Sequence, residues 1–225
     1  MCSRYSLTSP PEAVRAYFRY DNEAAFPPRY NIAPSQPVAI VRNKPQGGRE
    51  MALVRWGLIP GWIKDPRAFK MLINARGETA ADKPSFRAAM RHRRCLVPAD
   101  GFYEWRGAPG AKRPHLIKPR AGGPMALAGI FESWLGADGI ETMAILTVPA
   151  NAAMSALHDR MPALIAPEKF DKWLDCSSGT SAGVTELLVP APEDYLDIVE
   201  VSRALNNPRN EGPEVQAPVG TPTLL

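Results

Sequence analysis

The apolar residues of this chain fall in short runs that proline and glycine repeatedly interrupt. Twenty-four of the 225 residues are proline, which fixes φ at about −65° and has no backbone N–H to donate. Proline is tolerated in edge strands, first helical turns and connections, but not inside long helices or central strands. The chain is therefore constrained to short elements joined by many turns.

The short apolar and aromatic runs predict about nine or ten strands. A hairpin is predicted from residues 38–41 and 51–56, with its turn at residues 45–48. The last two strands are expected at residues 185–189 and 196–201. Strands do not alternate with helices in the manner of a Rossmann-like sheet. The pattern favours an α+β fold with a mostly antiparallel, barrel-like β core and short peripheral helices.

About four short helices are predicted at the periphery of this core. One begins after Ser9, which is expected to act as the N-cap, while Glu12 completes a capping box. Another is predicted over residues 84–94, with apolar residues on one side only. The arginines on its far side are expected to form a solvated surface: Arg87, Arg91, Arg93 and Arg94.

Residues 1–210 are expected to form one domain, and residues 211–225 a loose tail because they are rich in proline and polar residues. No apolar run approaches the roughly 20 residues that a membrane helix requires. The N-terminus also lacks the basic and then apolar pattern of a signal peptide. We therefore expect a soluble cytoplasmic protein.

The cysteine and histidine pattern argues against a metal centre. The three cysteines are odd in number and show no CxxC spacing, and the three histidines form no HExxH motif. Any chemistry is expected to need neither metal nor cofactor. The formal net charge of +4 and the pI of about 9.0 permit binding to a phosphate backbone but do not establish it.

The first residues contain one pairing of special reactivity. If Met1 is removed, Cys2 carries a thiol and a free α-amine, whose pKa of about 7.7–8.0 leaves a useful neutral fraction near neutral pH. Such an amine condenses with an aldehyde to a Schiff base, and the thiol can then close a five-membered ring. Taken alone, these residues are better explained by an ordinary initiator methionine followed by a small residue.

Three polar positions are candidates for a site, each with an ordinary explanation beside it. Glu104 lies in an aromatic strand, where spacing favours a solvated face over a cleft. His158 suits proton transfer, but most lone histidines are structural or lie on the surface. Asn74 and Arg76 point the same way at a strand end. They could hold a ligand together, or they could be an ordinary turn residue and a surface cation.

The aromatic residues Trp62, Phe69 and Trp105 are candidate stacking surfaces for nucleic-acid bases, each stack contributing about 1–3 kcal/mol. Each of them taken alone is more simply explained as a core residue. Basic residues nearby in sequence make a nucleic-acid groove a reasonable hypothesis: Lys64, Arg67, Lys70 and Arg76.

Taken in order, seven segments of the chain resemble the SOS response-associated peptidase (SRAP) family of abasic-site processing proteins. They extend over nearly the whole of residues 1–210. The segments are Met1-Cys2-x-Arg4, Tyr30-Asn31-Ile32-Ala33-Pro34, Trp56-Gly57-Leu58-Ile59-Pro60, Ile73-Asn74-Ala75-Arg76-x-Glu78-Thr79, the stretch 94–105, His158-Asp159-Arg160-Met161-Pro162 and Asn206-Asn207-Pro208-Arg209-Asn210.

The resemblance implies an SRAP-like fold and a self-processing peptidase that removes Met1 and then, through Cys2, forms a covalent thiazolidine with abasic sites in single-stranded DNA. Associated Schiff-base chemistry of the lyase type is implied as well. By similarity, Asn74 orients the opened deoxyribose, Glu104 acts as general acid and base, and His158 assists opening of the sugar. One departure is Ser3, where the family usually has glycine, so that a side chain stands beside the nucleophile.

The resemblance also implies a DNA-binding surface, and with it a function in the DNA-damage response. Arginines would hold flanking phosphates, tryptophans would stack or wedge against bases, and a threonine would add a contact. The residues are Arg4, Arg76, Arg160, Trp62, Trp105 and Thr147. The expected protein is a bacterial, nucleoid-associated monomer. Its expected partner is single-stranded DNA carrying abasic sites, and it is expected to need no metal or cofactor and to bind no membrane.

Two other functions use the same residues. The Cys2 amine and thiol would also serve an N-terminal-nucleophile amidohydrolase acting on a peptide or small amide. A single-strand-binding module without catalysis would need only the basic and aromatic residues.

Overall fold

The computed structural model describes residues 2–108, 110–134 and 139–220. Met1, and with it the expected processing site, lies outside the described residues, as do residues 221–225 of the expected tail. Within the described part of the chain, no helix has both the length and the apolar character needed to cross a membrane.

Short strands dominate the described residues, as the density of prolines predicts. The strands are β1 (Tyr5–Leu7), β2 (Arg29–Ile32), β3 (Pro37–Asn43), β4 (Arg49–Trp56), β5 (Asn74–Arg76), β6 (Arg94–Ala99), β7 (Gly101–Arg106), β8 (Arg113–Pro119), β9 (Met125–Trp134), β10 (Ile140–Pro149), β11 (Arg160–Pro162) and β12 (Leu196–Glu200). The α-helices are α1 (Pro11–Phe18), α2 (Gly77–Ala80), α3 (Arg87–His92), α4 (Ala152–Ser155) and α5 (Phe170–Leu174). Short 3₁₀ helices are Pro167–Lys169, Thr185–Leu187, Arg203–Asn206 and Pro213–Gln216.

Five of the strands close into a barrel. Strand β3 pairs with β4 and β6, β6 pairs with β9, β9 pairs with β10, and β10 pairs with β4 to complete the ring. The pairing of β10 with β4 is parallel, and the other pairings in the ring are antiparallel. Closure removes the exposed edges that an open sheet would present. The prediction of a mostly antiparallel, barrel-like core is confirmed.

Strand β10 also extends beyond the barrel and binds two further short strands. Ile145, Leu146 and Thr147 pair in parallel with the whole of β5, and residues 147–149 pair antiparallel with β11. Strands β5 and β11 therefore flank the same end of β10, one on each side. This arrangement brings the segments that begin at Asn74 and His158 to one end of the barrel.

A second sheet has the strand order β12-β8-β7-β1-β2 and is antiparallel throughout. It packs on the barrel through apolar side chains. Tyr5 of β1 meets Trp56 of β4 edge to face, with ring centroids 5.3 Å apart, a favourable geometry for two aromatic rings. Strand β1 lies between β2 and β7, so the residues just before β1 are held against the strand that carries Glu104.

Two predictions near the helices are wrong in detail. Helix α3 ends at His92, and Arg94 begins β6 as a buried residue instead of lying on a solvated helix face. Ser9 does not cap α1, because the helix begins at Pro11 and Pro10 occupies the N-cap position. The backbone N–H and hydroxyl of Ser9 instead donate to the Asp100 carboxylate at 2.6 Å each.

Two predictions near the C-terminus also differ from the structure. Residues 185–187 form a 3₁₀ turn instead of a strand, since a short apolar run alone does not distinguish the two. The expected tail is ordered from 211 to 220: Val215 is fully buried, and Gln216 Nε2 donates to the Tyr103 hydroxyl at 2.7 Å. Backbone hydrogen bonds from Ser202 N to the Ala217 carbonyl and from Val219 N to the Glu200 carbonyl, both 2.9 Å, also hold this polar segment against the domain.

Replacing Arg94 with methionine is expected to lower the free energy of unfolding by about 3–5 kcal/mol, because several buried carbonyls would lose their donor. Its guanidinium donates to the carbonyls of Trp173 at 2.7 Å and Met90 at 2.5 Å, and also to that of Asp175. Urea unfolding would measure the loss. The matched control is Arg87→Met on the exposed face of α3, expected to change stability by less than about 0.5 kcal/mol; equal losses in both variants would contradict this prediction.

Candidate active site

The residues that precede β1 meet the end of β5 through one hydrogen bond. Asn74 Nδ2 donates to the backbone carbonyl of Cys2 at 2.8 Å. The bond joins residues 72 positions apart and fixes the backbone of Cys2 relative to the strand pair β5 and β10. The Asn74 Oδ1 atom is buried and accepts no hydrogen bond from the described residues. A donor group on a substrate would satisfy it.

A cleft of about 520 Å³ opens beside Cys2 and collects side chains from distant parts of the chain. Glu104 on β7, buried to 5% exposure, lies in this cleft with His158, which precedes β11. Spacing alone favoured a solvated Glu104. That interpretation is wrong, because both faces of β7 are covered and its first four residues are all buried. The lining residues are Ser3, Arg4, Glu104, Trp105, Gly110, Lys112, His158 and Asn206.

The Cys2 thiol is fully buried and neutral. Burial raises its pKa far above the ordinary value, and the negative charge of Glu104 raises the pKa further. The thiol makes one weak hydrogen bond, to the Arg4 carbonyl at 3.7 Å, which opposes these effects only in part.

His158 is oriented by its own turn. Its Nδ1 accepts a hydrogen bond from the Arg160 backbone N–H at 2.9 Å, which leaves the proton of the neutral ring on Nε2. The Asp159 carboxylate lies 2.7 Å from the same nitrogen. The Arg160 N–H and the Asp159 carboxylate, both close to Nδ1, therefore fix the orientation of the imidazole.

Arg4 and Trp105 form the wall of the cleft on the side of residues 205–210. Arg4 Nη1 donates to Asn31 Oδ1 at 2.7 Å and to the Leu205 carbonyl at 3.2 Å, and its guanidinium lies 5.9 Å from the centre of the Trp105 ring. Trp105 Nε1 donates to Asn206 Oδ1 at 2.7 Å. Partial burial lowers the pKa of Arg4, though arginine stays charged at neutral pH.

Arg160 is held by two acceptors at the edge of the site. Its Nη1 and Nη2 atoms donate to the two carboxylate oxygens of Glu78 at 2.6 and 2.9 Å. Its Nη2 also donates to the Thr147 carbonyl at 2.6 Å. Thr147 is fully buried, and its hydroxyl donates to the Ala75 carbonyl at 3.3 Å. Thr147 therefore supports Arg160 and has no exposed surface for a direct DNA contact.

Like Arg160 and Thr147, two further expected DNA-binding residues do not line the cleft. Trp62 is 62% exposed in the turn region after β4, and Arg76 is exposed at the end of β5. The structure therefore brings Arg4, Glu104, Trp105 and His158 together in the cleft, with Cys2 and Asn74 adjoining it. An exposed tryptophan is the opposite of the core residue that spacing alone favoured at position 62.

Four lining residues had no function assigned from the sequence: Ser3, Gly110, Lys112 and Asn206. Asn206 lies in a segment that contributed to the family resemblance. Its hydrogen bond with the Trp105 indole could not be predicted from the sequence, because the two residues are 101 positions apart. Lys112 stands at the hairpin tip between β7 and β8, where a lysine is ordinarily only a solvated residue. Among the described residues, no group of three His, Cys, Asp or Glu side chains could hold a metal ion.

Comparison with known proteins gives consistent matches over nearly the whole chain. The family model described as SOS response associated peptidase (SRAP) matches residues 1–208. The abasic site processing protein YoqW of Bacillus subtilis is 37% identical over 221 residues, covering 96% of this chain and 98% of that protein. The abasic site processing protein HMCES of Xenopus tropicalis is 29% identical, covering 97% of this chain and 78% of that protein. A crystal structure of a protein from Bacteroides thetaiotaomicron aligns with a TM-score of 0.85 at 27% identity, covering 97% of this chain and 100% of that one.

Iodoacetamide at about pH 8 is expected to alkylate Cys176 first, because the thiolate is the reactive form and Cys2 and Cys95 are fully buried with raised pKa values. Peptide mapping by mass spectrometry over time would measure the order of labelling. The control is the same reaction in guanidinium chloride, where all three thiols should react at similar rates. Labelling of Cys2 ahead of Cys176 in the folded chain would contradict the burial described above.

Proposed function

This chain belongs to the SOS response associated peptidase (SRAP) family, and from that premise we propose that it processes abasic sites in single-stranded DNA by bonding covalently to them through Cys2. The observation that carries the proposal is the contact between the Asn74 side chain and the Cys2 backbone, beside a cleft shared by Glu104 and His158. A carboxylate and an imidazole can transfer the protons that an amine-to-aldehyde condensation needs, while the Asn74 amide holds the backbone of Cys2 in place.

The proposed reaction begins with removal of Met1, in which water adds across the Met1–Cys2 peptide bond and releases the Cys2 α-amine. The amine then attacks the aldehyde of the ring-opened abasic sugar, and loss of one water gives a Schiff base. The thiol finally adds across the carbon–nitrogen double bond: sulfur bonds to carbon, and the thiol proton passes to nitrogen. The product is a thiazolidine, which resists the β-elimination that a Schiff base alone promotes.

The electrostatics of the site support this order of steps. A buried thiol beside a carboxylate stays protonated at neutral pH, so it is a weak nucleophile before the Schiff base forms. The α-amine, with an ordinary pKa of about 7.7–8.0, is neutral in part and can attack first. Glu104 then acts as the base that accepts the thiol proton while sulfur bonds to carbon. His158 would donate a proton to the ring oxygen of the sugar as it opens.

Recognition of the DNA is proposed to involve the wall of the cleft. Arg4 would hold a phosphate next to the lesion, and the Trp105 ring would stack on a neighbouring base, a contact worth about 1–3 kcal/mol. Arg76 and Trp62, both exposed outside the cleft, would extend the contact along the strand. Stacking of this kind requires unpaired bases, which supports a preference for single strands.

The first test uses single-stranded DNA with one abasic site and a denaturing gel. The wild-type chain should give a heat-stable shifted band, and Cys2→Ala should give none. Cys2→Ser keeps the amine but lacks the thiol, so it should form a band only when borohydride reduces the Schiff base. Cys176→Ala is the matched control and should behave as wild type. A heat-stable band that survives Cys2→Ala would overturn the proposal, and intact mass would report whether Met1 is removed.

The second test concerns the contact between Asn74 and Cys2. Asn74→Asp keeps the shape of the side chain but replaces the donor with an oxygen that repels the Cys2 carbonyl. Cross-linking is expected to slow by about 100-fold, since misplacing a reacting group by about 1 Å has effects of that size. The matched control is Asn43→Asp, where an asparagine Nδ2 also donates to a backbone carbonyl, that of Leu174, at 3.3 Å. Equal rates in the two variants would contradict a function for Asn74.

A further inference from the structure

We propose that Asn206 is a positioning residue for DNA binding: it holds the Trp105 indole by its N–H, so that the ring stacks on whichever base lies beside the lesion. The inference rests on the proposed function and deepens it, because it makes this contact independent of the base sequence. Three observations carry it: the hydrogen bond at the indole, the clamp on the loop that contains Asn206, and the half-buried position of the ring.

The indole nitrogen of Trp105 already has a partner within the protein. Its Nε1–H donates to Asn206 Oδ1 at 2.7 Å, and an indole has no other group that donates or accepts. With this N–H taken, the ring offers a neighbouring base its face and no hydrogen bond. Every base has a face that can stack, so stacking tolerates any sequence. The bond to Asn206 therefore favours stacking on a base over reading the edge of one.

An exposed hydrogen bond alone would hold a tryptophan weakly, but the loop that contains Asn206 is itself fixed. Asn31 is fully buried, and its Nδ2 donates to the carbonyls of Leu205, Asn207 and Asn210 at 3.3, 3.1 and 2.9 Å. Two of these carbonyls belong to the residues on either side of Asn206. The acceptor for the indole is therefore in place before DNA binds, and less freedom is lost on binding.

The Trp105 ring stands at the border between the core and the cleft. It is half-buried and packs against the apolar cluster that contains Tyr103, Leu205 and Val215. It also lines the cleft, where the Arg4 guanidinium lies 5.9 Å from its centre. Apolar packing and the bond to Asn206 thus hold the ring beside the arginine proposed to bind a phosphate. A base and its adjacent phosphate would then be bound together.

The first test is Asn206→Leu, which removes the acceptor but keeps the approximate size of the side chain. The probe is a single strand with a tetrahydrofuran abasic analogue, which has no aldehyde and cannot be cross-linked. Its dissociation constant is expected to rise about threefold, against about tenfold for Trp105→Ala, where a whole stack is lost. At saturating abasic DNA the cross-linking rate should fall by less than about twofold, because the stack is remote from the reacting atoms.

The matched control is Asn43→Leu. Asn43 does not line the cleft, and its side chain also makes one hydrogen bond, from Nδ2 to the Leu174 carbonyl at 3.3 Å. This variant should bind the analogue as wild type does. A dissociation constant that Asn206→Leu leaves at the value of Asn43→Leu would refute the inference.

A double variant shows whether Asn206 acts through the indole. Asn206→Leu combined with Trp105→Ala should bind the analogue as weakly as Trp105→Ala alone, because the two side chains act as one unit. Additive losses would count against the inference, since Asn206 would then contact the DNA by itself.

A second readout needs no DNA. The chain has five tryptophans, and Trp105→Phe assigns the indole N–H signal of position 105 in a nuclear magnetic resonance spectrum. Asn206→Leu should shift this signal and speed its exchange with water, while the other four signals stay in place. Asn206→Asp keeps an acceptor and should restore slow exchange. A signal that Asn206→Leu does not move would show that the bond does not hold the ring.

Tolerance of sequence is tested with the base next to the lesion. Adenine and guanine stack through similar two-ring faces but carry different groups on their edges. Exchanging one for the other in an otherwise constant strand should change the dissociation constant by less than about threefold. A larger preference that Trp105→Ala abolishes would mean that the indole reads a base edge, contrary to the inference.

The two proposals fail in different ways. If the wild-type chain forms no cross-link with abasic DNA, the proposed covalent function is wrong, and the analogue and the indole signal still test Asn206. If the cross-link forms but Asn206→Leu changes neither the dissociation constant nor the indole signal, only the positioning function of Asn206 is wrong.

Discussion

The pairing of β10 is the constraint on which both the barrel and the site depend. Its first part joins β4 in parallel and β9 antiparallel, which closes the barrel. Its last residues continue beyond that ring and bind β5 and β11. One strand thus supplies the hydrogen bonds that close the core and those that align Asn74 and His158. A change that shifted the register of β10 would move the core face and the site together.

Burying the polar groups of the site is unfavourable, and apolar packing nearby compensates for it. The thiol of Cys2 and the carboxylate of Glu104 are both buried, and burial raises the pKa of the Cys2 thiol. The thiol therefore remains protonated at neutral pH. The apolar contact between Tyr5 and Trp56 lies just along the chain from Cys2 and helps to hold the second sheet on the barrel. Hydrophobic packing thereby stabilises the folded chain against the cost of the polar cleft.

Much of the fold could be predicted from the sequence because its signals are local. The hairpin of β3 and β4 follows from two apolar runs and a glycine turn, and the barrel-like class follows from the scarcity of helical patterns. The position of Glu104 could not be predicted in this way. Alternation shows which residues share a face of a strand, but not whether a distant segment covers that face. Here Phe102, on the same face of β7 as Glu104, packs into the barrel core, while Val215 and Leu205 cover Tyr103 on the opposite face.

The arginines also show that a sequence does not reveal contacts between distant residues, and this affects how DNA would be recognised. A sequence shows their number, but not how many of them already bind backbone carbonyls. Arg94 is buried among carbonyls, and Arg160 is held by Glu78 and Thr147. The net charge of +4 therefore overstates the positive charge that is free to meet phosphates.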